Sequence, residues 1–215
     1  MIHCLRSLNI KEGDIVGISS ENRSEFLYVT FASICLNATV TTVNISYTER
    51  ELEHTMTLSK PKVFFASKTI SNKVSKIAQQ YKFVQHIFEF DSEYATNNIR
   101  SYRKLFEDKS IKHISNYTPK PTNIRDTVAF VMYSSGTTGI PKGVQVTQLN
   151  VMSLLNSRED PEVMAVAGMP ILSVVPWFHT MGCMTTLMAI SKGIKLISLP
   201  KFEEKLFLGS IEVII

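Results

Sequence analysis

Cysteine is scarce in this sequence, and its scarcity excludes two classes of protein. Only Cys4, Cys35 and Cys183 occur among the 215 residues, and no two of them form a C-x-x-C pair. A disulfide scaffold and a cysteine-ligated zinc site are therefore excluded. Glycine and proline number 9 and 8, which excludes a collagen-like repeat. An odd and sparse set of thiols is typical of a reducing compartment.

Charged residues are missing from residues 163–191, a stretch long enough to raise the question of a membrane span. Pro170, Pro176 and Gly182 interrupt the stretch, and its two halves have the patterns of a strand and a helix. We therefore predict a buried strand–helix unit and no transmembrane segment. The first ten residues also lack the apolar centre of a signal peptide.

Positive charge is concentrated in residues 60–125, which contain 13 Lys and Arg residues and 5 Asp and Glu residues. The chain as a whole carries a net charge of +4. A nucleic-acid surface is one interpretation of this basic region. However, the charges are scattered among helical and strand patterns without a nucleic-acid-binding motif. A solvated face is therefore favoured, and no nucleic acid partner is expected.

Apolar strands alternate with helical segments along the chain, and this alternation predicts the fold class. The predicted strands are 14–19, 39–43, 63–66, 83–90, 127–133, 171–175 and 194–199. The predicted helices are 21–37, 48–59, 71–80, 147–157 and 181–191, followed by an apolar-faced segment from Phe202. Thr48 and Glu51 have the spacing of a capping box. Strands without polar alternation indicate an α/β fold of mostly parallel sheets with helices on both faces.

Residues 91–125 are polar, basic and proline-containing, and they predict a connecting excursion with one short helix near residues 101–106. We therefore divide the chain into a first α/β subdomain, residues 1–125, and strand–helix units that open the next sheet, residues 126–215. The apolar run at residues 211–215 has two interpretations. It is either a final strand that pairs internally or the point where a domain is interrupted.

The strongest local signal is the string YSSGTTGIPKGV at residues 133–144. Its three glycines allow tight turns, its four Ser and Thr hydroxyls can donate to anionic oxygens, and Lys142 adds a cation. A predicted strand precedes it and a predicted helix follows, which is typical of a ligand site at the carboxyl end of a parallel sheet. The string matches neither the Walker A pattern nor the dinucleotide fingerprint. A polar surface loop without a ligand is the less favoured alternative.

This string resembles the phosphate-binding signature of the acyl-adenylate-forming enzymes, which include acyl-CoA synthetases, coumarate-CoA ligases and beetle luciferases. The segment ILSVVPWFHTMG at residues 171–182 resembles the next core motif of that family. Further segments are similar to its luciferase-like branch in particular: residues 13–16 (GDIV), 20–22 (SEN), 47–52 (YTEREL) and 202–208 (FEEKLFL). The resemblance covers nearly the whole chain.

The resemblance implies an enzyme that activates a small carboxylic acid with ATP and Mg²⁺ and passes the acyl group to coenzyme A. It implies catalytic roles for Lys142 and His179 and no protein ligand for a metal in this chain. Without it, a lone histidine among aromatic residues would be predicted to lie in the core. The implied phosphate-binding residues are Ser134, Ser135, Gly136, Thr137, Thr138, Gly139, Lys142 and Gly143. The implied acyl-pocket residues are Trp177, Phe178, His179 and Gly182.

Several later motifs of the family are not found in this sequence. They are an aromatic-Gly-x-Thr-Glu string that contacts adenine and Mg²⁺, a Thr-Gly-Asp that binds ribose, and a C-terminal domain with a lysine. The resemblance therefore implies an incomplete N-terminal domain of an ATP-dependent carboxylate–CoA ligase, inactive on its own. The alternative is a non-catalytic protein that binds phosphate or a partner. The cytoplasm is the default expectation for this chain and the peroxisome for a longer parent, while acyl substrate, light emission and oligomeric state stay open.

Overall fold

The computed structural model describes residues 1–94, 96, 98–107, 117–135, 139–157 and 169–214. Within these residues the strands are β1 Ile15–Ser19, β2 Thr39–Thr42, β3 Val63–Ala66, β4 His86–Glu89, β5 Ile99–Ser101, β6 Val128–Ser134, β7 Lys142–Thr147, β8 Ile171–Ser173 and β9 Leu196–Ser198. The helices are α1 Ile2–Ser7, α2 Ser24–Cys35, α3 Glu49–Ser59, α4 Lys68–Ala78, α5 Gln148–Ser157, α6 Thr180–Ser191 and α7 Glu204–Ile214, with a 3-10 turn at Arg103–Phe106.

Seven of these strands form one sheet in the order β5-β4-β3-β1-β2-β6-β7, and β8 and β9 form a second, parallel pair. Neighbouring strands of the large sheet are parallel, except that β7 runs antiparallel to β6. The carboxyl ends of β1, β2, β3 and β6 therefore meet at one edge of the sheet, where such folds bind ligands. This topology confirms the predicted α/β class.

The core lies on both faces of the large sheet, as its strand patterns predict. Phe64 and Phe65 are consecutive in β3 and both fully buried, yet they belong to different apolar clusters. Consecutive side chains of a strand point to opposite faces, so each ring packs under a different layer of helices. The Phe65 face is covered by α1, α2, α5 and α6, and the Phe64 face by α3 and α4.

The predicted capping box is confirmed at the start of α3. The Thr48 hydroxyl accepts a hydrogen bond from the Glu51 backbone N–H at 3.3 Å, and the Glu51 carboxylate accepts one from the Thr48 N–H at 2.9 Å. Two N–H groups that the first turn of the helix leaves without intrahelical partners are thereby satisfied. The capping box thus fixes where α3 begins, and α3 is one of the two helices that pack against β7, the other being α5.

The structure differs from the sequence-based expectations in three elements. β5 lies inside the predicted connecting excursion, and at three residues it is too short to give a periodic pattern. β7 occupies residues expected to form a loop; it is an edge strand whose residues are all exposed or half-buried. Residues 204–214 form α7, so the final-strand interpretation is wrong for the described part of that run.

The uncharged stretch contains β8 and α6, which agrees with the predicted strand–helix unit, although residues 163–168 lie outside the described residues. Among the described residues, no helix has the length and apolarity that a membrane crossing requires. β6 and β7 extend the same sheet as β1 to β5, and the second sheet begins only at β8.

Gly17 in β1 has a neighbour that forbids a side chain. An added Cβ would lie 2.4 Å from Cδ2 of Phe64, its register partner in β3. We expect Gly17→Ala to lower the free energy of unfolding by about 1–3 kcal/mol, the usual cost of overpacking a core. Urea denaturation of the chain measures this.

Gly209 in α7 is the matched control, because an added Cβ there meets nothing within 4 Å. We expect Gly209→Ala to raise the free energy of unfolding by about 0.5–1 kcal/mol through helix propensity. Equal effects of the two substitutions would contradict the packing that places the Phe64 ring over Gly17.

Candidate functional site

The predicted phosphate loop is the connection of a β-hairpin formed by β6 and β7. Ser134 pairs with Lys142 and Tyr133 with Gly143 across the two strands. The loop therefore joins two antiparallel strands, whereas the sequence predicted that it would lead directly from a strand into a helix. Because β6 is parallel to β2, the loop still leaves the sheet at the carboxyl edge, as expected.

Five of the eight predicted phosphate-binding residues lie in the described part of the hairpin, and all five are exposed. They are Ser134, Ser135, Gly139, Lys142 and Gly143, whereas Gly136, Thr137 and Thr138 lie outside the described residues. The Lys142 ammonium takes part in none of the ion pairs found among the described residues. Gly139 has a φ of +75°, a conformation that L side chains adopt only with strain.

Two polar contacts fix the base of the hairpin to α3. The Tyr133 hydroxyl donates to the Thr55 carbonyl at 2.9 Å, and it lies 2.8 Å from the Thr41 hydroxyl, which is then the donor of that pair. His54 Nε2 donates to the Pro141 carbonyl at 2.9 Å, since a carbonyl oxygen can only accept. Burial raises the pKa of Tyr133, so the phenol keeps the proton that it donates.

Leu58 of α3 reaches the hairpin at its glycine. An added Cβ on Gly143 would lie 3.1 Å from Cδ2 of Leu58 and 3.3 Å from Cγ1 of Val131. These approaches are tight, so a side chain at position 143 would require the Leu58 and Val131 side chains to shift by a few tenths of an ångström. Between α3 and the loop lies an open groove of about 540 Å³, lined by Thr48, Arg50, Glu51, His54, Gly139, Ile140 and Pro141.

Residues 174–179, here called the aromatic–histidine turn, connect β8 to α6. Three hydrogen bonds hold the turn, two from Asn22 and one from Thr42. Asn22 Nδ2 donates to the Val175 carbonyl at 3.1 Å, and Asn22 Oδ1 accepts from the Trp177 N–H at 2.8 Å. The Thr42 hydroxyl donates to the Phe178 carbonyl at 2.9 Å. The turn therefore sits on the residues that follow or end β1 and β2.

Trp177 belongs to the core and is 3% exposed. Its indole N–H donates to the Ser173 hydroxyl at 3.0 Å, and its ring meets Phe26 edge-on at a centroid distance of 6.2 Å. Phe178 is half-buried. Gly182 is buried, and a Cβ there would lie 2.3 Å from the Pro176 carbonyl oxygen, so the turn packs directly on the helix backbone at this residue.

His179 is exposed at the N-terminus of α6, so the core interpretation that the residue type alone would favour is wrong. Its Nδ1 accepts a hydrogen bond from the Met181 N–H at 3.3 Å. Nδ1 is therefore unprotonated in this arrangement, and the neutral ring carries its hydrogen on Nε2. The imidazole thus has one donor left to offer to a ligand.

Thr41 and Thr42 bring the two elements to the same edge of the sheet. They are consecutive at the end of β2, so their side chains point to opposite faces. Thr41 contacts Tyr133 at the base of the hairpin, and Thr42 contacts Phe178 in the turn. The end of β2 therefore connects both predicted regions.

Sequence reasoning missed His54, and it recognised Asn22 only as part of a short similar string. The His54 partner is a backbone carbonyl 87 residues away, and the Asn22 partners are 153 and 155 residues away. Backbone partners leave no residue-type signal, so spacing could not have found them. Cys183 stays unassigned, because burial raises its pKa to about 12 and keeps the thiol protonated.

Two relatives by sequence each cover nearly the whole of this chain. The luciferin 4-monooxygenase of Photuris pensylvanica is 31% identical over 211 residues, which cover 96% of this chain and 39% of the luciferase. The probable 4-coumarate–CoA ligase 3 of Dictyostelium discoideum is 28% identical over 220 residues, which cover 97% of this chain and 40% of the ligase. The chain thus spans about two fifths of the length of these relatives.

A solved structure has the same fold. The natural red-emitting luciferase of Phrixothrix hirtus superposes with a TM-score of 0.89 at 28% identity, covering 99% of this chain and 41% of the luciferase. The family model of the AMP-binding enzymes matches residues 1–214. This chain therefore belongs to the AMP-binding enzyme family.

Proposed function

We propose that this chain supplies the ATP-phosphate-binding part of an enzyme that converts a small carboxylic acid into its acyl adenylate and then into a coenzyme A thioester. The observation that carries the proposal is the hairpin of β6 and β7. It presents hydroxyls and a lysine at the carboxyl edge of the sheet from a base anchored on α3. The relative named as a probable 4-coumarate–CoA ligase supports the same chemistry.

The first step of this chemistry joins two anions. A carboxylate oxygen attacks the α-phosphorus of ATP, the bond from that phosphorus to the bridging oxygen breaks, and pyrophosphate leaves. Catalysis then depends on positioning and on charge stabilisation of the leaving group. Ser134 and Lys142 are register partners, so their side chains emerge on the same face of the hairpin. We assign them, together with the hydroxyls of Ser135, Thr137 and Thr138, to the β- and γ-phosphate oxygens.

His179 is the proposed partner of the acid. With Nδ1 accepting the Met181 N–H, the exposed Nε2–H remains available to donate to a carboxylate oxygen. This contact orients the attacking carboxylate and requires no proton transfer. Phe178 forms the proposed wall beside it, and Trp177 supports the turn from inside the core.

In the second step the thiol of coenzyme A loses its proton to solvent, its sulfur bonds to the acyl carbon, and the bond from that carbon to the phosphate oxygen breaks, so that AMP leaves with the bonding electrons. Enzymes of this family use ATP, Mg²⁺ and coenzyme A. The described residues contain no group of three His, Cys, Asp or Glu side chains able to hold a metal ion. The nearby Glu51 carboxylate is already engaged in the capping box. We therefore assign no Mg²⁺ ligand to the described residues.

Lys142→Ala tests the phosphate assignment. We expect the affinity of the chain for inorganic pyrophosphate to fall at least about tenfold, because a charge-assisted hydrogen bond is lost. Isothermal titration calorimetry at fixed ionic strength measures it. Lys205→Ala removes another exposed lysine, from α7, and should leave the affinity unchanged. The assignment fails if the two variants bind pyrophosphate equally, or if the unmodified chain does not bind it.

His54→Ala tests the anchoring of the hairpin on α3. Loss of the hydrogen bond to Pro141 should lower pyrophosphate affinity about fivefold, the equivalent of one neutral hydrogen bond, without removing any phosphate ligand. His54→Gln retains an N–H donor and should recover most of the affinity. The same titrations measure both variants. Wild-type affinity in His54→Ala would contradict this role.

A further inference from the structure

We infer that Asn22 is a positioning residue that clamps the turn bearing Phe178 and His179 onto the carboxyl end of β1. Its consequence for catalysis rests on the proposed function, but the clamp itself can be tested without any ligand. Asn22 lies three residues beyond the end of β1 and is 6% exposed. It contacts a segment more than 150 residues away in the sequence.

The side chain of Asn22 satisfies two backbone groups of opposite kind. Its amide nitrogen donates to the Val175 carbonyl at 3.1 Å, and its amide oxygen accepts from the Trp177 N–H at 2.8 Å. Residues 174–179 lie between β8 and α6, so neither a strand ladder nor a helix pairs these groups. Buried backbone groups must find partners, and a primary amide can serve a donor and an acceptor at once. Asn22 is therefore chemically suited to this turn.

Two further contacts, from Thr42 and from the Trp177 ring, restrict the turn in addition to Asn22. Thr42 donates to the Phe178 carbonyl at 2.9 Å. The Trp177 ring lies in the core against Phe26, with its N–H bonded to the Ser173 hydroxyl. Hydrogen bonds thus hold the backbone at Val175, Trp177 and Phe178, and His179 is the next residue. The position from which the imidazole reaches a ligand is consequently set by Asn22 through the turn.

If Asn22 only stabilised the fold, its loss would have the same effects as the loss of another buried asparagine. Asn37 is the asparagine used for this comparison. Asn37 is also 6% exposed, and it also makes two long-range hydrogen bonds. Its Nδ2 donates to the Lys120 carbonyl at 3.1 Å, and its Oδ1 accepts from Gln148 Nε2 at 3.3 Å. It precedes β2 and so lies at the opposite edge of the sheet from the turn. Loss of either asparagine should destabilise the chain, but only Asn22 should alter the turn.

Trp177 is the only tryptophan in the sequence, so intrinsic fluorescence reports on this turn alone. In Asn22→Ala we expect the emission to shift to longer wavelength and acrylamide quenching to increase. The Trp177 amide should exchange with solvent on the order of tenfold faster, because its acceptor has been removed. Exchange is compared with that of the slowest amides of the chain, which report global unfolding. Asn37→Ala should leave the emission and the relative exchange at wild-type values.

A folded Asn22→Ala chain with wild-type emission and Trp177 exchange would overturn the inference, as would equal changes in Asn37→Ala. Should Asn22→Ala fail to fold, Thr42→Val removes one hydrogen bond from the same turn at nearly constant volume. Thr42→Val should shift the emission less, in the same direction. No shift in this variant would also overturn the inference. A chain that binds no pyrophosphate refutes the proposed function and leaves the fluorescence test of the clamp intact.

Discussion

The end of β2 is the constraint on which both candidate elements depend. Thr41 and Thr42 are consecutive and fully buried, or nearly so, and their hydroxyls point to opposite faces of the sheet. One contacts the base of the hairpin through Tyr133, and the other contacts the aromatic–histidine turn through Phe178. Both partners lie more than 90 residues away, so these two side chains connect distant parts of the chain. A displacement of this strand end would therefore move both elements together.

The chemistry-bearing groups and their supports differ in burial. Ser134, Lys142 and His179 are exposed, whereas the Tyr133 hydroxyl and Asn22 lie in part-buried or buried surroundings. Hydrogen bonds are worth most, and cost most to lose, where water cannot replace them. If the exposed groups bind a polyanion, as proposed, their supporting contacts are ones that the polyanion cannot compete for. Such support lets exposed groups keep a fixed direction.

The sequence predicted the parts of this arrangement that depend on local pattern. Fully apolar β3, with Phe64 and Phe65 buried on opposite faces, was recognisable as a strand covered on both sides. The capping box of α3 was predicted from the spacing of Thr48 and Glu51. β7 was not predicted, because its apolar–polar alternation is limited to Val144, Gln145 and Val146, next to a Gly-rich loop, and its partner β6 supplies the pairing. His54 and Asn22 form hydrogen bonds with backbone atoms of distant residues. Every residue has such backbone atoms, so the sequence contains no pattern that would predict these pairs.

The hydrogen bonds that anchor the hairpin are made by neutral groups, and burial keeps Tyr133 in its neutral form. Burial raises the pKa of Tyr133, so its phenol is neutral and donates to Thr55. This contribution to stability is complete below the ordinary tyrosine pKa and is lost only as pH rises through the higher folded value. Neither Tyr133 nor Thr41 brings a negative charge to the hairpin, so the proposed phosphate ligand of Lys142 would meet no competing anion from the base of the hairpin. The sign of the charge at the loop is thus set by one lysine, while neutral groups set its position.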